Sequence, residues 1–224
     1  SPLHDLRREA VRSLASFSLN PAQMASSVKE LMEDKNPAVR SQVLRTLSEV
    51  GGADQSVIDI LVRASKPEIP GNTMGGAYER KFERFLARRA LEQYAGELQT
   101  YLNAPIATDI PEANILWAIQ ALPVKQKETA FLKFWPKSKI TAMDESAFVG
   151  IAEMLGNKEI YEAVKSVFQN PVHAAAHHRQ PAASGSSGHG GDLRTERHCR
   201  CRAGRHLDER RARTHHRHHR RGFC

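Results

Sequence analysis

At 224 residues the chain has room for one or two domains of ordinary size, and it carries a formal net charge of +8 with a pI near 9.6. The excess is confined to one end. Residues 1–172 hold acids and bases in equal number, while the surplus, ten of the eleven histidines and all three cysteines fall in residues 173–224. A basic chain ordinarily points to nucleic acid or a membrane surface, an inference that does not extend to the neutral first 172 residues. No apolar run reaches the roughly 18 residues of a membrane span, and no charged-then-apolar leader is visible. The chain opens at Ser1 without Met and reads as a fragment or a processed product.

Taken in order, the apolar residues recur at helical spacing almost from the start. Leu6, Ala10, Val11 and Leu14 predict a one-sided first helix. Asn20-Pro21-Ala22-Gln23 predicts the next start, with Asn as cap, Pro in the first turn and Gln reaching back; Met24, Val28, Leu31 and Met32 give that helix its inner face. Asn36-Pro37 repeats the signal, and Val39, Val43, Leu44, Leu47 and Val50 form a stripe up to Gly51-Gly52. Asp54 caps a fourth helix carrying Val57, Ile58, Leu61 and Val62.

Residues 66–76, with Pro67, Pro70-Gly71 and Gly75-Gly76, predict a loop. A longer helix follows, expected to turn Tyr78, Phe82, Phe85, Leu86, Ala90 and Tyr94 inward and Arg80, Arg84, Arg88 and Arg89 largely outward. A short helix covers Leu98 to Leu102. Pro111 opens one with Ile115, Leu116, Ile119 and Leu122, and another spans Val124 to Trp135. Thr141 with Asp144 has the spacing of a capping box ahead of Phe148, Ala152 and Leu155. The last helix, from about Lys158 to Gln169, buries Ile160, Tyr161, Val164, Val167 and Phe168. The prediction is thus all-α, with about ten helices and short links.

Internal repetition favours a stack over a closed bundle. Leu6-Arg7-Arg8-Glu9-Ala10-Val11-Arg12-Ser13-Leu14 lies over Val39-Arg40-Ser41-Gln42-Val43-Leu44-Arg45-Thr46-Leu47 at an offset of 33 residues. Helix pairs too thin to bury their own apolar faces stack and share a core. The run Asp34-Lys35-Asn36-Pro37-Ala38-Val39-Arg40, followed by Val43, Leu44 and Leu47, resembles the start of a HEAT repeat. That resemblance, specific over residues 3–65, implies a right-handed α-solenoid of stacked antiparallel helix pairs over residues 1–172. It also implies that Asp34 and Arg40, with Arg7 in the first repeat, belong to a polar ladder between neighbouring repeats. Residues 78–170, through Phe85 to Gln93 and Ile115 to Pro123, are more weakly similar to the helical segment of large exported bacterial proteins. In those proteins a dehydrogenase-like propeller precedes the repeats and a c-type cytochrome domain follows. The Cys-x-x-Cys-His haem motif of that family is absent, so the resemblance implies a parent and transfers no activity.

From His173 onward lysine vanishes while arginine and histidine rise, and Leu193, Leu207 and Phe223 are the only large apolar residues. Such a stretch cannot build a core; it reads as translation out of frame, with a disordered basic tail as the alternative. His198, Cys199, Cys201 and His206 are zinc-ligand types without zinc-finger spacing. His215, His216, His218 and His219 would bind metal weakly, as any histidine cluster does. The tail arginines would bind nucleic-acid phosphates in a salt-dependent way.

Residues 1–172 show no catalytic, cofactor or metal spacing. His4 reads as a surface histidine, Asp144-Glu145 as a cap and its neighbour, and Trp117 and Trp135 as core. Arg80, Arg84, Arg88 and Arg89 read as a solvated stripe laced with Glu79, Glu83 and Glu92, and Gly75-Gly76 lacks a phosphate-loop setting. The function expected is a non-catalytic scaffold, without cofactor, for another protein or an adjacent domain. The alternatives are a piece of the exported cytochrome protein, which would place it in the periplasm, or a nucleic-acid binder acting through the tail.

Overall fold

A computed structural model describes residues 3–106, 109–140 and 143–169. The chain divides into two units, Ser1–Gln180 and Pro181–Cys224, and the described residues lie in the first. Among them are ten α-helices and no strand: α1 (Leu3–Leu14), α2 (Pro21–Val28), α3 (Pro37–Glu49), α4 (Gln55–Ala64), α5 (Ala77–Gln93), α6 (Ala95–Asn103), α7 (Glu112–Ile119), α8 (Val124–Phe134), α9 (Glu145–Ala152) and α10 (Lys158–Phe168). Single 3-10 turns at Lys29–Glu33 and Trp135–Lys137 follow α2 and α8, so both helices stop short of the ends expected at Met32 and Trp135.

The helix starts obey local chemistry. Asn20 Oδ1 accepts from the Gln23 amide at 2.9 Å while Gln23 Oε1 accepts from the Asn20 amide at 3.1 Å, a reciprocal cap. Asn36 accepts from the Ala38 amide, Asp54 from the Ser56 and Val57 amides, and Asn157 from the Glu159 amide. Each such cap satisfies an orphan amide and contributes about 1 kcal/mol. At α9 the expected box is corrected. Asp144 is itself the cap, taking the Ala147 amide at 2.9 Å, and Thr141 lies outside the described residues, as do the Phe168 side chain and everything beyond Gln169.

Two layers build up along the chain. In one, α1 packs on α3, α3 on α5 and α5 on α7; in the other, α2 packs on α4, α4 on α6, α6 on α8 and α8 on α10. This is an α-solenoid. Val43, Leu44 and Leu47 of α3 and Val57, Ile58 and Leu61 of α4 are fully buried in the shared core, each worth about 1.5–3 kcal/mol relative to exposure. Polar ties join successive helices of the first layer where helix ends leave carbonyls over. The Thr46 hydroxyl donates to the Val11 carbonyl at 3.2 Å, and the Tyr94 hydroxyl is shared by the Leu47 and Val50 carbonyls at 2.9 and 2.7 Å.

Several predicted faces are turned. In α5 the buried residues are Ala77, Glu83, Arg84, Ala87, Ala90 and Leu91, whereas Tyr78 and Phe85 are 45% and 54% exposed. Arg84, expected outward, is 1% exposed. The cause is charge: Arg40 of α3 draws Glu83 inward, and Asp144 and Trp117 draw Arg84. In α1 Leu6 is 67% exposed beside Leu3, because among the described residues nothing stacks on that side of α1. Ala152 and Tyr161, also expected inward, are exposed. Trp117 and Trp135 are buried, the latter stacked on Phe131 with centroids 5.1 Å apart. The loop over residues 66–76 turns at Gly71 and Gly75, whose φ values of +102° and +81° suit glycine.

Candidate protein-interaction cleft

Three cross-repeat rungs of charge run along the first layer. Arg7 of α1 grips Asp34 as a two-pronged fork, Nε to Oδ2 at 2.6 Å and Nη2 to Oδ1 at 3.1 Å. Asp34 Oδ1 also accepts from the Asn36 amide at 2.8 Å, and these donors, Arg7 foremost, hold its carboxyl below the usual carboxylate range. Arg40 of α3 donates Nη1 to the Asp34 backbone carbonyl at 2.6 Å, and Nε and Nη2 to Glu83 Oε1 at 2.9 and 2.6 Å. Arg84 of α5 donates Nη1 to Asp144 Oδ2 at 2.6 Å, across 60 residues. The residues singled out by sequence, Arg7, Asp34 and Arg40, thus come together. Glu83, Arg84 and Asp144 were missed as partners. One local signal existed for the last pair: Asp144, like Asp34, stands at the entry to a helix, with an arginine on an earlier first-layer helix.

A second charged cluster ties the other layer. Arg63 of α4 bridges Asp59 at 2.7 Å and Asp109 at 2.7 Å, and the Tyr101 hydroxyl of α6 donates to Asp59 at 2.8 Å. Arg63 lowers the Asp109 carboxyl, while burial and the bond to Asp59 push the Tyr101 phenol well up.

The last rung of the first layer floors a cleft of about 510 Å³. One stripe of α5 supplies Lys81, Arg84, Phe85, Arg88, Arg89 and Glu92, α7 supplies Trp117, and Glu68 and Ser146, hydrogen-bonded to each other, close one side. The hollow continues for about another 360 Å³ past Gln120 and α9, where Glu145, Val149 and Glu153 line it. The Arg84 guanidinium lies 3.7 Å from the Trp117 ring centroid and that of Arg88 lies 5.5 Å away, and the Trp117 indole N–H donates to the Arg84 carbonyl at 3.3 Å. Burial strengthens such cation–π contacts to about 2 kcal/mol. Arg84 Nε and Nη2 have no acceptor among the described residues, nor does Gln120 Oε1 have a donor. A hollow of about 480 Å³ between α1, α3 and α5 repeats the theme, with Arg45 5.5 Å from the Phe82 ring.

The cleft thus combines fixed charge, a π face and an apolar edge. Asp144 is occupied by its cap and Arg84, His4 sits at the start of α1 3.6 Å from Asp5, and among the described residues no group of three or more His, Cys, Asp and Glu could hold a metal. The histidine and cysteine clusters of residues 198–219 lie outside the described residues. No described helix is long and apolar enough to cross a membrane.

No curated protein and no solved structure matches the chain. The family model for HEAT repeats matches residues 1–68, the span holding α1 to α4, the Arg7–Asp34 rung and Arg40. HEAT repeats commonly mediate protein interactions, and a helical-repeat scaffold for such contacts is the role they suggest. Similarity to HEAT repeats is thus shown over residues 1–68.

Proposed function

We propose that residues 1–172 form a non-catalytic scaffold whose first helical layer holds a protein or an adjacent domain, with residues 173–224 as a separate basic tail. The observation that carries this reading is the pair of hollows on that layer, each pairing arginine with an aromatic ring. Asp34, Arg40 and Arg7 act in it as ladder residues, joined by Glu83, Arg84 and Asp144. They keep successive helices in register so that side chains from three helices present one surface. A solenoid suits this role because each repeat adds area without changing the core of its neighbours.

The test uses a property of the sequence. Every lysine lies in residues 1–172, so amine-reactive cross-linking of the full chain samples the stack and not the tail. The expected result is cross-links from Lys81, the lysine that α5 carries at the cleft, to a small set of discrete proteins, and a native mass equal to the polypeptide alone. Absence of cross-links above those of a denatured control, or a stoichiometric bound cofactor, overturns the reading.

A further inference from the structure

Along α5, Lys81, Phe85 and Arg89 stand at successive turns on one exposed stripe at the lip of the larger cleft. Phe85 is 54% exposed and lines the hollow, so its ring is open to a ligand there. The two flanking cations have no ion-pair partner among the described residues, whereas the acids lining the same cleft are engaged: Glu92 by Arg88 at 2.9 Å and Glu68 by Ser146. Eight helical residues at about 1.5 Å rise separate Lys81 from Arg89 by about 12 Å. An extended peptide covers that distance in about four residues, with positions i, i+2 and i+4 on one side. The spacing therefore reads as cation, ring, cation against acid, apolar, acid.

Resting on the scaffold reading above, we propose that this lip and the Trp117 cleft bind an extended segment of a protein partner bearing two carboxylates four residues apart around an apolar residue. The acids meet Lys81 and Arg89, and the apolar side chain lies on Phe85 towards Trp117. Arg84 is a positioning residue: it is sealed under the cleft and holds the Trp117 ring. A nucleic-acid strand fits less well, because the continuation of the hollow carries Glu145 and Glu153, which repel a phosphate backbone once it leaves the cationic lip.

The probe is a random heptapeptide library displayed on phage, panned on the immobilised full chain. Peptides with acids four apart around an apolar residue are expected to dominate the output. Lys81→Glu with Arg89→Glu is expected to lower their recovery at least tenfold, and Phe85→Ser alone at least threefold, with helical circular dichroism unchanged. Arg12→Glu with Arg45→Glu, on the other hollow, leaves recovery unaltered. The arginine-rich residues 173–224 are present in every variant, so recovery that survives the charge reversal belongs to them or to another surface and overturns the proposal. An output without the acid spacing, or displacement of the peptides by a single-stranded oligonucleotide from the same site, overturns it as well. Failure here with the Lys81 cross-links of the parent chain intact leaves the scaffold reading standing; absence of those cross-links removes both.

Discussion

The Arg84–Asp144 rung makes a quantitative prediction because its two ends are unequal. Arg84 is 1% exposed while the Asp144 side chain is 17% exposed and also caps α9. Asp144→Ala strands a buried guanidinium, a loss of about 3–5 kcal/mol for an unpaired buried charge, and removes a cap worth about 1 kcal/mol. With Asp144 partly solvated the lower end applies, giving about 4 kcal/mol in total. Asp144→Ser keeps a capping oxygen and should cost about 1 kcal/mol less. Arg84→Met removes the charge but keeps hydrocarbon over Trp117, and Asp144 retains its cap and can turn to water. Its cost should be about 1 kcal/mol, the loss of a cation–π contact worth about 2 kcal/mol being partly offset because a charge is no longer buried. The double variant should then cost about 2 kcal/mol, well below the sum of the singles, a coupling of about 3 kcal/mol. Urea unfolding followed by tryptophan fluorescence, with slopes compared across variants, measures all four. Arg84→Met costing as much as Asp144→Ala, or additive singles, would refute the reasoning.

Three further outcomes follow from named contacts. The depressed Asp34 carboxyl stabilises the fold above the unfolded carboxylate value of about 4, and that contribution is lost as pH falls through the lower folded value. The melting temperatures of the parent and Asp34→Asn should therefore differ by a constant amount above about pH 5 and converge as pH falls below the unfolded value, and a gap that persists in strong acid rejects the role of Arg7. The raised Tyr101 phenol works in the opposite sense: stability is complete below the unfolded tyrosine value of about 10 and falls as pH rises past it. Tyr101→Phe should cost about 1 kcal/mol at neutral pH and flatten the alkaline limb of thermal melts, and an unchanged limb counts against it. A Cβ at Gly150 would collide with the Gln120 carboxamide. Gly150→Ala should lose about 1–3 kcal/mol by overpacking despite its better helix propensity, and Gln120→Ala in the same chain should recover most of the loss in a urea titration.

How far the sequence reached depended on distance along the chain. Asn20, Asn36 and Asp54 announced their helices because a cap and the amides it satisfies lie within three residues. The 33-residue echo between Arg7 and Arg40 likewise brought out the ladder arginines. Their acids were only half legible: Asp34 sits six residues before Arg40, but Glu83 lies 43 residues away on a helix that no repeat pattern reaches. The cleft was not legible at all. Its stripe of Lys81, Arg84, Phe85, Arg88 and Arg89 reads as an ordinary charged face with one stray aromatic.

The α5 helix marks the boundary between the two kinds of information. Periodicity fixed that Ala77 to Gln93 would be helical, since hydrogen bonding and rotamer preference act over a few residues. It could not choose the inward face, because apolar and charged residues occur on every side of this helix and the choice is a competition among neighbours. Tertiary packing made it: Arg40 and Asp144 offered charge partners to Glu83 and Arg84 that solvent could not match in geometry, so the helix turned Phe85 out. Local chemistry set the helices and their repeat. Only the stack, by bringing residues 43 and 60 positions apart into contact, decided which side chains became a surface for something else.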